Sequence, residues 1–544
     1  MNKRLILVFL SFMLTSVLLF LRVGSLSVDE PLAKTAQTQS RYTLTFNRTR
    51  RLIYDCRLNR LVDEDTRYLA ACLPTSETLP RFLNNQTLLL GESPEEKSAL
   101  LTSGKPFLAE SRLPQTGIPL TQVFEVPIRT GKNQLAPHII GYTQDGEGVS
   151  GLEKALNDYL NEDSQTSRVT YAADGRRSVL AGAEIQTDLA PIPTAGVVLT
   201  LDNRIQEVIE RIGAKSIQRG AVIVMEPSTG KIRAAASFPS YSASHLTEAM
   251  QDTENAPLLN RTFASYCVGS TFKIATAAAA LSQGLPAETM FECKGWITVK
   301  GQTFRCHDLA GHGWITMDDA FKVSCNPYFI QLAQQFDPQV LRNLASDLSF
   351  GREAEFLPGY TSSSGSLPDA EELERPAGTA NFSFGQGSLS ATPIQVAQMV
   401  CAVVNGGSTP AARLVEGYTD SGQVIDEPAE ELLPVQAMTP EIAALLQEML
   451  TACVMENENQ YAKPQYVTAG GKTGTAQTGQ LDENGKEKYL GWFAGFFPAE
   501  SPRYVVSVVV EEARSGNQDA SPVFQEIADA LYAPVQMPAK LANR

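Results

Sequence analysis

Histidine is scarce in this chain, with four residues in 544, at His138, His245, His307 and His312. None shows the paired spacing of a zinc site, so each reads as structural and no metal is expected. No organic cofactor is expected either. Basic charge is also short: 45 Lys and Arg face 60 Asp and Glu, and the net charge of −15 argues against nucleic acid or anionic lipid as the main partner. Long low-complexity segments and short-period repeats are missing, which leaves a non-repetitive globular chain. With 43% hydrophobic residues, it can bury at least two cores.

One uncharged apolar run stands near the start. Met1-Asn2-Lys3-Arg4 precedes Leu5 to Leu21, interrupted only by Ser11, Thr15 and Ser16. The run is near the lower length limit for spanning a bilayer, and a basic flank orients the following chain outward. A cleaved signal peptide is the competing reading, with Gly24, Ser25 and Ser27 as small residues near a processing site. The run is long for a signal h-region, which favours a single-pass anchor at 5–21 behind a cytoplasmic tail at 1–4. Both readings place the rest of the chain outside the cytoplasm.

Three polar clusters carry the chemistry: Ser270-Thr271-Phe272-Lys273, Ser324-Cys325-Asn326 and Lys472-Thr473-Gly474-Thr475. Ser270 heads an alanine-rich run to Leu281 that has high helix propensity and that Gly284 can close. A spacing of three puts Ser270 and Lys273 on one helical face. A serine hydroxyl becomes a nucleophile when an adjacent base takes its proton, and a lysine can be that base when its amine is neutral. Burial and a neighbouring positive charge both favour the neutral amine, and Lys472 is the candidate for that charge. Ser-x-x-Lys alone is a weak signal. A second copy, Ser228-Thr229-Gly230-Lys231, reads as the turn of a hairpin between two apolar runs. Ser324 to Asn326 reads as a loop entering a helix. A second Ser-x-Asn, at Ser515-Gly516-Asn517, falls after the third cluster in a polar loop and is set aside. Gly470-Gly471 before Lys472 allows close backbone approach, and the apolar runs 489–497 and 504–510 read as buried strands beside it.

The ordered set resembles the active-site signature of penicillin-binding proteins and serine β-lactamases: Ser-x-x-Lys, Ser-x-Asn and Lys-Thr-Gly. Further segments are similar to penicillin-binding transpeptidase domains, namely Glu226 to Lys231, Arg261, Gly269 to Lys273, Gly311-His312-Gly313, Phe384 to Gly387 and Thr392 to Gln395. The resemblance covers about 196–535 and leaves a C-terminal tail at 536–544. It implies Ser270 as the acylated nucleophile, Lys273 as its base, and Ser324 and Asn326 as proton relay and substrate contact. It also implies that Lys472, Thr473, Gly474 and Thr475 form the substrate-binding strand and that the N–H groups of Ser270 and Thr475 form the oxyanion hole. The implied fold is α+β, a central antiparallel sheet between helical layers. Residues 22–195 are too long for a linker and are expected to form a membrane-proximal, mixed α/β pedestal of the dimerisation type. Arg50 to Cys56 resembles the segment that opens this pedestal in class B members, with Arg51 in place of a glycine and Cys56 in place of an arginine. The segments 138–142 and 148–153 resemble the part of the pedestal nearest the catalytic domain. Nothing resembles a glycosyltransferase domain.

The resemblance implies a monofunctional peptidoglycan D,D-transpeptidase acting on stem peptides of a lipid-linked precursor, acylated by β-lactams and working with a SEDS-type membrane glycosyltransferase. Division, elongation and sporulation enzymes share these clusters. A serine β-lactamase and a β-lactam sensor or cell-wall scaffold are the rival readings. Class A lactamases add a glutamate between the second and third clusters, and Glu371, Glu372 and Glu374 fall in that interval without such a motif. Of the eight cysteines, Cys293 and Cys306 bracket an alternating segment that reads as a hairpin, and a disulfide is expected at its base. Cys267 and Cys325 read as small buried packing residues.

Overall fold

The structure, a computed structural model, describes residues 2–27, 40–89, 93–174, 179–180, 182 and 184–534. The expected tail at 536–544 lies outside the described residues. Among them, one helix, Asn2–Ser27, is long and apolar enough to cross a membrane by length and composition. It continues past Leu21, where the uncharged run stops at Arg22.

The chain divides into two compact units. The first comprises Met1–Arg50, Asp63–Ile128 and Asn161–Pro193, and the second Arg51–Val62, Arg129–Leu160 and Thr194–Arg544. Segments 51–62 and 129–160, which the sequence groups with 22–195, therefore fold with the second unit. Arg51 does not have positive φ, so the backbone there needs no glycine. The first unit holds two antiparallel sheets: Arg41–Arg48, Thr166–Ala172 and Gln186–Asp188 make one, and Leu88–Leu89, Phe107–Ser111, Asp65–Cys72 and Thr121–Ile128 make the other.

The second unit is built on a five-stranded antiparallel sheet. Its strands are β1 (Gly220–Met225), β2 (Ile232–Phe238), β3 (Gly470–Leu481), β4 (Glu487–Phe497) and β5 (Tyr504–Val510), in the spatial order β2-β1-β5-β4-β3. The hairpin read around Ser228 is β1–β2. The strands bury both faces, which is why they read as continuous apolar runs. Val222, Val224, Phe493, Val506 and Val508 face one core with Ile205, Ile209 and Ile212 of α1 (Asn203–Ser216) and Phe524 and Ile527 of the C-terminal helix Ser521–Tyr532. Their alternate neighbours Ile223, Met225, Trp492, Ala494, Val505 and Val509 face a second core. Helices α2 (Lys273–Ser282), α3 (Asn326–Ala333), α4 (Pro393–Val404) and α5 (Pro440–Met455) contribute to it. A period of two along each strand thus separates two helical layers. Every residue of α4 from Pro393 to Val403 is buried, as expected for a helix apolar on all sides.

Phe524 joins the sheet to the C-terminal helix, with its ring centroid 4.5 Å from Phe493 and 5.6 Å from Phe497 and no exposed surface. Phe524→Ala should lower the unfolding free energy by about 3–5 kcal/mol. Urea unfolding followed through the buried Trp492 measures it, and a loss below about 1 kcal/mol would contradict this packing.

Candidate active site

The three clusters meet at a cavity of about 590 Å³ in the second unit. Ser270, Ser324, Asn326, Lys472, Thr473 and Thr475 line it. Ser270 lies in a 3-10 turn, Gly269–Phe272, that precedes α2, one turn earlier than a regular α-helical start. Gly269 N–H donates to Gly385 O at 2.8 Å and Trp492 Nε1 donates to Cys267 O at 2.9 Å, so this turn is pinned from two sides. Among the described residues, Ser270 Oγ has no hydrogen-bond partner, and the half-buried side chain faces the cavity.

Lys273 lies behind that wall with no exposed surface. Its Nζ donates to Ser324 O and Asn326 Oδ1, both at 2.7 Å, and lies 3.2 Å from Ser324 Oγ. A neutral amine has two N–H bonds and one lone pair. Two close carbonyl oxygens can take both N–H bonds, which leaves the lone pair for a hydroxyl. Burial, and after it the charge of Lys472, holds Lys273 well below the ordinary lysine range. Ser324 has a φ of 51°, a left-handed conformation that a non-glycine residue adopts at a cost. It directs both the carbonyl and the hydroxyl of Ser324 to the same amine.

The third cluster lies on β3, in register with β4: Lys472 opposite Ala494, Thr473 opposite Phe493, Gly474 opposite Trp492 and Thr475 opposite Gly491. Gly474 faces inward, where a Cβ would come within 3.1 Å of Thr271 Cγ2 and Val268 O, so glycine lets the strand pass close to the Ser270 turn without displacing it. Lys472 is buried and its pKa is lowered to about 8 by that burial. Among the described residues, no carboxylate pairs with it; its weak contacts are Thr473 O and Oγ1, each at 3.4 Å. A concave site with an unpaired buried cation suits an anionic ligand group.

Two features depart from the sequence reading. The loop set aside at 515–517 lines the cavity through Ser515 and Asn517, and Gly516 N–H donates to Thr475 Oγ1 at 3.1 Å. Its position after the third cluster says nothing of this, because the π-helical turn Gly516–Ala520 brings it back to β3. Second, Cys293 and Cys306 are free thiols, not the disulfide expected at the base of the hairpin Trp296–Val299 and Gln302–Arg305. The hairpin forms, but its two thiols also meet Cys325 and His312, so neither faces the other alone. Hydrogen bonding with Cys325 is the largest influence on Cys306 and pushes its thiol down, against the effect of burial.

The family model of the penicillin-binding protein transpeptidase domain matches residues 220–529, more than half of the chain. The chain is 29% identical over 407 residues to stage V sporulation protein D of Bacillus subtilis, covering 72% of this chain and 61% of that one. It is 27% identical over 485 residues to peptidoglycan D,D-transpeptidase PbpA of Mycobacterium tuberculosis, covering 84% and 93%. The fold is similar to that of penicillin-binding protein A of M. tuberculosis solved as a ceftriaxone acyl-enzyme complex, with TM-score 0.63, 24% identity, and coverage of 75% of this chain and 93% of that one.

The Lys472 amine gives a pH signature. It holds its proton less firmly in the folded chain than in the unfolded one, so its contribution to stability is fully present above pH 10.5 and is lost as pH falls to about 8. Lys472→Met should therefore gain stability over the wild type by roughly 2–3 kcal/mol more at pH 7 than at pH 10. Urea midpoints of both proteins at the two pH values measure this, and an equal difference at both would contradict it.

Proposed function

The chain belongs to the penicillin-binding protein transpeptidase family, and we propose that it is a monofunctional, class B peptidoglycan D,D-transpeptidase that works through a Ser270 acyl-enzyme. The observation that carries this reading is the convergence of the three collinear clusters on one cavity, with Lys273 held against Ser324 and Asn326.

In the proposed reaction, Ser270 Oγ attacks the carbonyl carbon of the penultimate D-alanine of a stem peptide and gives its proton to the neutral Lys273 amine. The N–H groups of Ser270 and Thr475 stabilise the oxyanion, which costs little reorganisation because both belong to packed backbone. Collapse of the tetrahedral intermediate expels D-alanine, whose nitrogen takes a proton through Ser324. An amine of a neighbouring strand then attacks the ester, forming the cross-link and freeing Ser270. Lys472, Thr473 and Thr475 hold the substrate carboxylate, and Asn326 holds its amide. β-Lactams acylate the same serine. The apolar run 5–21 of the Asn2–Ser27 helix is the membrane anchor, with the following chain outside the cytoplasm: the rest of the first unit is the pedestal, and the second unit, which takes in 51–62 and 129–160, is the transpeptidase domain. A SEDS-type glycosyltransferase supplies the nascent strand.

Transfer is favoured over hydrolysis by the surroundings of the interval glutamates. Glu371, Glu372 and Glu374 belong to the short helix Ala370–Glu374, none lines the cavity, and Glu372 accepts from Ser388 N–H and Oγ. None of these three glutamates is placed to act as base on a hydrolytic water in the cavity.

Incubation with a fluorescent penicillin, following both gain and loss of label, tests the reading. Label should persist, and both Ser270→Ala and Lys273→Arg should abolish it, the latter because a guanidinium stays charged. Labelling that survives either substitution would reject that residue's role, and label lost within seconds would favour a lactamase.

A further inference from the structure

We propose that Cys293, Cys306, His312 and Cys325 form a closed, four-ligand site for a thiophilic divalent cation, Zn²⁺ in the first instance, which ties the Ser324–Asn326 loop to the hairpin beside it.

The three Sγ atoms and one imidazole nitrogen all lie within 4.8 Å of one another. Tetrahedral zinc with bonds of about 2.3 Å to sulfur and about 2.0 Å to nitrogen separates its ligand atoms by roughly 3.5–3.8 Å. Cys306 Sγ lies 3.7 Å from His312 Nδ1. The three thiols are almost wholly buried, at 2%, 3% and 0% exposure for Cys293, Cys306 and Cys325. Thiols that only fill space do not need an imidazole among them, and a disulfide would use two of the three and leave the third unmatched. Soft thiolates with one imidazole select zinc over magnesium or calcium. Four protein ligands also leave no open position, so the ion is structural and takes no part in the acyl transfer.

The backbone builds this cluster from four separate places. Cys306 N–H donates to Gly295 O at 2.8 Å, and Cys293 pairs with Gly313, so the hairpin base and the strand after it are in register. Between them, Gly311 has a φ of 82°, and a Cβ there would lie 2.3 Å from Cys293 O, so the loop carrying His312 folds directly onto the Cys293 turn. Cys325 closes the set from the start of α3, where its N–H donates to Ala320 O at 3.0 Å. That residue lies between Ser324 and Asn326, the two partners of the Lys273 amine. A metal bond at Cys325 would therefore hold the strained Ser324 backbone in place. Binding converts three thiols and a neutral imidazole into three thiolates and one imidazole on the ion, with release of three protons. No electron transfer is involved. Scattered histidines conceal the site in the sequence, because three of the four ligands are cysteines.

The full chain, without a polyhistidine tag and purified without chelator, should contain one zinc per molecule. Cobalt exchange should give thiolate-to-metal charge transfer and tetrahedral visible bands. Cys306→Ser and His312→Ala, with far-ultraviolet circular dichroism as the check on folding, should lose both, whereas Cys401→Ser should keep them. Removal of the metal should slow fluorescent-penicillin labelling by about tenfold or more, with recovery on adding Zn²⁺. A metal-free protein with all cysteines titratable, metal retained in both folded variants, or a mass two daltons low from a disulfide within the cluster would each overturn the site. Labelling indifferent to the metal would overturn its tie to the loop. Metal content and the cobalt spectrum are read without any penicillin, so they stand or fall separately from the proposed acyl transfer.

Discussion

The second unit depends on one buried amine. Lys273 has no exposed surface, and it is held by Ser324 O and Asn326 Oδ1 at 2.7 Å each. A lysine in water would be charged; here dehydration and the nearby Lys472 favour the neutral form. That state is useful only if the groups around it do not move. Much of the architecture supplies that rigidity: the small side chains of α2 from Ala275 to Ala280 are all buried, and α4 runs through the same core as an apolar rod. The left-handed Ser324 is held in the same way, with its carbonyl accepting from the Lys273 amine at 2.7 Å and the next residue, Cys325, fully buried.

Burying two lysines works against stability, and the rest of the unit offsets it. The five strands bury valine, phenylalanine and alanine on both faces, and Arg261 forms a buried ion pair with Glu511 at 2.8 Å while donating to Asn255 O and Ala256 O. Neither Arg261 nor Glu511 lines the cavity. The proposed acyl-transfer site is thus a destabilised patch inside a stiff frame, which is the arrangement expected where function and folding compete.

Local patterns made much of this legible. The valine runs of β1 and β5 announce strands buried on both faces, and Glu226 to Lys231 announces the turn between β1 and β2. The order of the three clusters identified Ser270, Lys273, Ser324, Asn326, Lys472, Thr473 and Thr475, which the fold brings to one place. What stayed hidden depends on contacts between distant segments. Residues 51–62 and 129–160 fold with the second unit through pairings such as Ile53 with Val197, which no local composition reveals. Ser515 and Asn517 reach the cavity because a π-helical turn returns them to β3. Cys325 is fully buried, as a packing residue would be, yet its thiol meets two others from a hairpin and a histidine from the following loop.

The central claim is that Lys273 is a neutral base at physiological pH. The single-turnover rate of acylation by a fluorescent penicillin, measured from pH 6 to pH 10, tests it most directly. A depressed Lys273 amine predicts a plateau through neutral pH with decline on the acid side, and loss of the Lys472 charge above about pH 8 adds a second decline on the alkaline side. A rate that climbs about tenfold per pH unit from neutrality toward pH 10.4, the ordinary lysine value, would contradict it.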